Sequence, residues 1–302
     1  MRFLTIVVLG LVIAGCAAKQ EPTYQLTKVG EGLKFAEGPA WDGKGNIYVS
    51  NCDLKPGVIS KFDEAGNMSV AFEGSAKTFM STNGMTFHHS GSIFACDFVK
   101  KAIVEIKPDG SVSTYADNYQ GVPFRGPNDL AFDPNGNLYF TDPKDSSKDA
   151  PIGRVYRVDK LKNVTLVAQG LAFPNGIAFS ADGRTLYVAE SQKSVVLKYP
   201  VNADGSLGAK SVFCTLPGGK EPDGMNFDAA GNLWVAEAFA GAVREFDPSG
   251  KLLRSIELPG KQVTNVEFGG KDMKTLYITE AQTGGLYRIR TEVPGLKLFY
   301  GP

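Results

Sequence analysis

Asn175-Gly176-Ile177-Ala178-Phe179-Ser180-Ala181-Asp182-Gly183-Arg184-Thr185-Leu186-Tyr187-Val188-Ala189 reads as two short strands joined by a tight turn. Apolar and small residues alternate on either side of Asp182-Gly183, whose chemistry is that of a hairpin turn. Val195 to Tyr199 continues as a third strand. After the turn Asn202-Ala203-Asp204-Gly205, Ser211-Val212-Phe213-Cys214 makes a fourth. Working outward, the same unit recurs along the chain. Its copies open at Glu37, Asn83, Asn128, Asn175, Asp223 and Asn265, at steps of 46, 45, 47, 48 and 42 residues. The turns Asp42-Gly43-Lys44-Gly45-Asn46, Asp133-Pro134-Asn135-Gly136-Asn137 and Asp228-Ala229-Ala230-Gly231-Asn232 are one hairpin repeated. They lack the spaced carboxylates and closing Glu of a helical calcium loop, so they read as turns. A period in this range, built of short strands, predicts an all-β chain, a six-bladed β-propeller of four-stranded antiparallel blades. Two segments compete to complete the last blade and close the ring: Tyr24–Val29 and Leu296–Tyr300.

The repeat decides where the chemistry lies. Each copy places Asn, Asp or Glu at the start of its first strand, so six such residues face the axis. The paired second strands end in Asn51, Asp97, Asp142, Glu190, Glu237 and Glu280. One face therefore carries both rings, an acidic funnel that would favour a divalent ion. For most of the outer ring, capping of turns is the simpler reading. Glu37 and Asp223 bring two charges to the hub, and the Asn carbonyl oxygens add neutral ligands. Oxygen donors without nearby His or Cys suit calcium better than zinc or copper. Without a cation, two facing carboxylates repel and one must protonate. Turn geometry alone explains Asn83 and Asn265, but not the acids in repeats one and five. His88-His89 lies about 16 Å along the strand from the hub face, at about 3.3 Å per residue, and is assigned a structural role. Trp41 and Trp234 sit at core parity.

The first residues read differently. Met1-Arg2, the apolar run Phe3–Ile13 and the small residues before Cys16 form a signal peptide, too short to span a bilayer as a mature helix. The box Ile13-Ala14-Gly15-Cys16 resembles a bacterial lipoprotein signal. That resemblance implies residues 1–15 as the removed signal, Cys16 as the lipidated N-terminus and 16–23 as a tether; the repeats, which fill the rest without a linker, make 24–302 one propeller domain. It implies a protein anchored to the cell envelope through lipid. Cys52, Cys96 and Cys214 remain; an odd count makes no disulfide framework, and buried free thiols are simpler than a Cys52–Cys96 bridge. Basic and acidic residues balance at 32 each, without a basic run after the signal, which argues against a nucleic-acid partner. No Gly-rich dinucleotide loop is visible, and a monomer is expected.

The segments Glu37-Gly38-Pro39, Asn128-Asp129, Asn175-Gly176 and Pro222-Asp223-Gly224 resemble the senescence-marker-protein/gluconolactonase family of six-bladed propellers. The order Glu, Asn, Asn, Asp over blades one, three, four and five also occurs in the related paraoxonases and diisopropylfluorophosphatase. The resemblance implies Glu37, Asn175 and Asp223 as direct metal ligands and Asn128 as a ligand to metal or substrate. It implies Asp223 as general base and Arg125 as a contact to substrate hydroxyls. The expected activity is calcium-dependent hydrolysis of lactones, sugar lactones among them, with other divalent cations as possible replacements. The alternatives are a phosphotriesterase or aryl-esterase on the same site, or a non-catalytic propeller that binds a ligand or partner.

Overall fold

A computed structural model describes residues 24–301. The predicted signal, Cys16 and the tether lie outside the described residues. Six four-stranded antiparallel sheets form the ring, in the predicted order. Their innermost strands are Ala36–Trp41, Thr82–Phe87, Leu130–Phe132, Pro174–Phe179, Glu221–Phe227 and Val263–Gly269. Thr27–Gly30 pairs with Gly285–Arg290 as the outer strand of the last blade, so the N-terminal segment closes the ring. Its rival has another task. Leu296 N–H donates to the Phe227 carbonyl at 2.8 Å, and His89 N–H donates to the Tyr300 carbonyl at 2.7 Å. The C-terminal segment thus crosses from blade five to blade two and covers the far end of the axis.

Closure removes the exposed edges that a four-stranded sheet would otherwise present. The apolar core is divided into six clusters, one between each pair of neighbouring blades. Ala40 and Ile59 of blade one, for example, pack with Met85, Phe87 and Val104 of blade two. Trp41 and Trp234 each fill one of these interfaces, as their strand parity requires. Burying one such large side chain is worth about 1.5–3 kcal/mol, so the interfaces carry the ring. The Asp-Gly turns are self-contained: Asp133 Oδ1 accepts the amides of Asn135 and Asn137, both at 2.8 Å, and Asp228 Oδ1 repeats this with Ala230 and Asn232 at 2.9 Å. Their carboxylates are spent on the turn, as the sequence reading expects.

Candidate active site

The hub residues are aimed by an irregularity that recurs around the ring. In five blades the pairing of the first two strands slips where the hub residue stands, between Glu37 and Ala40, Thr82 and Met85, Pro174 and Ile177, Pro222 and Met225, and Val263 and Asn265. A bulge of this kind bends the strand and redirects its side chain. Glycine follows the hub residue in four repeats because the innermost strands touch there. A Cβ on Gly176 would lie 2.2 Å from the Asp223 carbonyl oxygen, and one on Gly38 would lie 2.1 Å from the Asn83 carbonyl oxygen. Hydroxyls link one blade to the next. Thr141 Oγ1 donates to the Asn175 carbonyl at 2.8 Å, Ser50 Oγ to that of Asn83 at 2.9 Å and Ser191 Oγ to that of Pro222 at 2.6 Å.

This construction brings Glu37, Asn83, Asn128, Asn175 and Asp223 into one cavity of about 350 Å³, within the range of small-molecule sites. Glu37 Oε2 accepts the Gly38 amide at 2.5 Å and the Asn265 side-chain amide at 3.1 Å. The Asn175 side chain bonds the Asp223 carboxylate. Three oxygens are buried there without a partner: Asn83 Oδ1, Asn128 Oδ1 and Asp223 Oδ1. A buried acceptor left unpaired is destabilising by about 1–3 kcal/mol, which a bound cation or substrate donor would offset. Burial pushes the Glu37 carboxyl up to about 7. Burial, and then the charges of Glu37, Asp129 and Glu221, hold Asp223 well above the ordinary carboxylate range. Burial is the main cause for both, and neighbouring acids, Asp129 beside Glu37 and Glu37 beside Asp223, add to it. Among the described residues no three His, Cys, Asp or Glu side chains gather as a metal cluster. The hub instead combines two carboxylates with amide oxygens, a donor set that fits a hard divalent cation.

Four features differ from, or add to, the sequence reading. The outer ring is not a cation funnel. Asp97 accepts the amides of Met80, Ser81, Val99 and Lys100, Glu280 those of Gln262, Gln282 and Thr283, and Glu237 the Arg244 guanidinium at 2.6 Å. Asn83, assigned to turn geometry, lines the cavity with one of the unpaired oxygens; its place in the repeat was the signal. Asp129, beside Asn128, is buried on the axis, and burial raises it to about 7. The replacement of Gly by Asp after the hub residue of repeat three marks it. Glu221 also lines the cavity, and burial raises its carboxyl.

Arg125 is anchored by its backbone amide to both oxygens of Asp142, at 3.1 and 3.0 Å, and does not line the cavity. His88 stacks on Tyr300 at the covered end, with ring centroids 5.6 Å apart, in keeping with a structural role. Cys52, Cys96 and Cys214 are free thiols. Cys52 donates to the Thr82 carbonyl at 3.0 Å and lines the cavity near Glu37 and Asp223, against the expectation of no nearby Cys; burial holds the thiols of Cys52 and Cys96 well above their ordinary value.

The cavity wall has a second character. Phe35, Phe98, Phe173 and Phe239 line it with Val99 and Ala238. Phe35, Phe173 and Phe239 have φ of 55°, 57° and 64°, the left-handed region that favours glycine. Such residues are strained by about 1–3 kcal/mol each and persist where the surroundings impose them.

Fold and hub together define a six-bladed propeller with a site of carboxylate and amide oxygens on its axis. The family model for the SMP-30/gluconolactonase/LRE-like region matches residues 35–282, and the chain belongs to that family. It is 32% identical to the pentonolactonase XacC of Haloferax volcanii over 83% of each chain. It is 29% identical to a gluconolactonase of Zymomonas mobilis, over 87% of this chain and 80% of that one. The solved structure of XC5397 from Xanthomonas campestris, described as a gluconolactonase, superposes with a TM-score of 0.77 at 26% identity, covering 90% of each chain.

Proposed function

We propose that this protein is a metal-dependent lactonase that opens a small cyclic ester at the hub. The observation that carries the reading is the set of three unpaired buried oxygens beside two repelling acids, Glu37 and Asp223, in a cavity of substrate size. Glu37, Asn175 and Asp223, with Asn128, would hold a calcium ion. Such an ion, when bound, polarises the lactone carbonyl and stabilises the oxyanion that develops on attack.

The chain's own residues supply the rest. Asp223 takes the proton of the attacking water as its oxygen bonds to the carbonyl carbon. The ring C–O bond then breaks, and the same proton returns to the departing alkoxide. Asn175 orients the Asp223 carboxylate, and Asn265 with the Gly38 amide fixes Glu37. The Asn83 and Asn128 oxygens are free to accept a bond from substrate or to join the cation's shell. Relatives named for pentonolactone and gluconolactone support the lactone class.

We also propose that Cys16 carries a lipid that anchors the propeller to the cell envelope, on the resemblance of its sequence box. Among the described residues no helix is long and apolar enough to cross a membrane.

The test is a panel of lactones and esters on the purified protein with calcium, with other divalent ions and with chelator. Calcium-dependent ring opening that chelator abolishes is expected. Calcium binding without turnover of any lactone or ester would leave a ligand-binding propeller as the function.

A further inference from the structure

We propose that Phe35, Phe98, Phe173 and Phe239 form an aromatic collar that selects neutral lactones bearing an apolar face or tail over densely hydroxylated ones. The inference rests on the lactonase reading for its reaction but on different residues for its selectivity. The cavity has a buried polar floor and a mixed mouth, where phenylalanines stand beside the exposed Asp53 and Lys55. Asn128 and Asn175 are 6% and 7% exposed at its floor, whereas Phe239 is 53% exposed at its mouth. The reacting ester would sit on the floor, and the phenylalanines are the apolar surface that a group extending from the ring can reach.

Neither backbone preference nor burial accounts for Phe239. Glycine would occupy the left-handed positions of Phe35, Phe173 and Phe239 without strain. Phe239 does not repay its strain by burial either, since about half of it remains in water. What remains is the ring surface it offers to a ligand. Phenylalanine has no polar tip, unlike Tyr or Trp, so the collar gives hydroxyls no partner. Charge points the same way. Glu37, Asp53, Glu221 and Asp223 face a single lysine, Lys55, in the cavity. A phosphorylated or sulfonated lactone would thus meet one cationic side chain among several acids beside the hub, which disfavours it.

The experiment measures kcat/KM of the full chain with saturating calcium on δ-lactones with alkyl tails of increasing length, on glucono-δ-lactone and on a phosphorylated sugar lactone. Each added methylene should raise kcat/KM about fourfold until the tail leaves the collar. Phe239→Gly should lower kcat/KM about tenfold or more on the longest tail and less on the bare ring. Its melting temperature should stay level or rise, because strain is relieved and little burial is lost. A Phe239 with only a structural role would lower the melting temperature and all substrates alike. That result, or a preference for the hydroxylated lactone over every tailed one, overturns the collar. If no lactone is opened at all, the lactonase reading fails, and the collar is judged by calorimetry with δ-lactams carrying the same tails. Affinity that rises with tail length and falls in Phe239→Gly upholds the collar; affinity independent of the tail overturns it.

Discussion

Removing the cation from the hub should make the protein less stable as pH rises from 5 to 8. Glu37 and Asp129 ionise at ordinary carboxylate pH in the unfolded chain, near 4.5 and 3.8, but at about 7 in the fold. A carboxyl raised in this way favours folding fully below its unfolded value. That contribution is lost as pH climbs through the folded one, because the native state then holds protons that the unfolded state has released. For Glu37 the loss is about 3 kcal/mol at neutral pH. Asp129 adds to it, by less than its full share, since the charges of the two act on each other. At about 2 °C per kcal/mol for a chain of this size, the melting temperature of the chelated protein should fall by about 6 °C or more. Calcium should reverse the trend, since its binding expels the same protons, so the stabilisation by calcium should grow from pH 5 to pH 8. His88 acts with opposite sign, because burial pushes its pKa down and ionisation below 6.5 destabilises the fold. Comparison with Asp223→Asn cancels that background. The assay is differential scanning fluorimetry of both proteins, with chelator and with excess calcium, across the pH range. A chelated wild type that gains on Asp223→Asn as pH rises, or a calcium shift of equal size at pH 5 and 8, would refute the account of the hub's charges.

Asp223→Asn keeps an oxygen donor but loses the base, and should abolish turnover even at saturating calcium; full activity there would remove Asp223 from proton transfer. Asn175→Ala should weaken calcium affinity, with activity partly restored by more calcium, as titration calorimetry and kcat at high metal would show. Asn83→Ala removes an unpaired buried oxygen, so it should leave the metal-free protein level or more stable while reducing calcium affinity or raising KM. Gly176→Ala drives a methyl against the Asp223 carbonyl and should destabilise the protein by about 3 kcal/mol, read by denaturant melts. Cys16→Ser should release the protein from the membrane fraction, and unchanged partitioning with no lipid mass on the N-terminus would remove the anchor.

The repeat of hub residue, strand, turn and strand determined the blade count, the strand pairing and the identity of Glu37, Asn128, Asn175 and Asp223 as neighbours. Those properties follow from short-range patterning: alternation sets a strand's faces, and Asp-Gly turns set its hairpins. What the pattern could not decide was which oxygens are already used. Capping was the simpler reading for most of the outer ring, but only the structure shows which members are spent: backbone amides of the same blade occupy Asp97 and Glu280 and leave Asp223 open. Asn83 and Asn265 hold equivalent repeat positions, yet Asn265 is spent on Glu37 while Asn83 keeps a bare oxygen. The position of the N-terminal segment before Glu37 favoured it as the closing strand, but Leu296–Tyr300 competed, and only three-dimensional packing sent Thr27–Gly30 to the last blade and Leu296–Tyr300 across the axis. The phenylalanine collar was likewise invisible, because Phe35 and Phe173 precede hub residues while Phe98 and Phe239 follow second strands, so no one repeat position marks it. Hydrogen-bond satisfaction and convergence on an axis are properties of distance in space, and a linear repeat carries them only as equivalence of position.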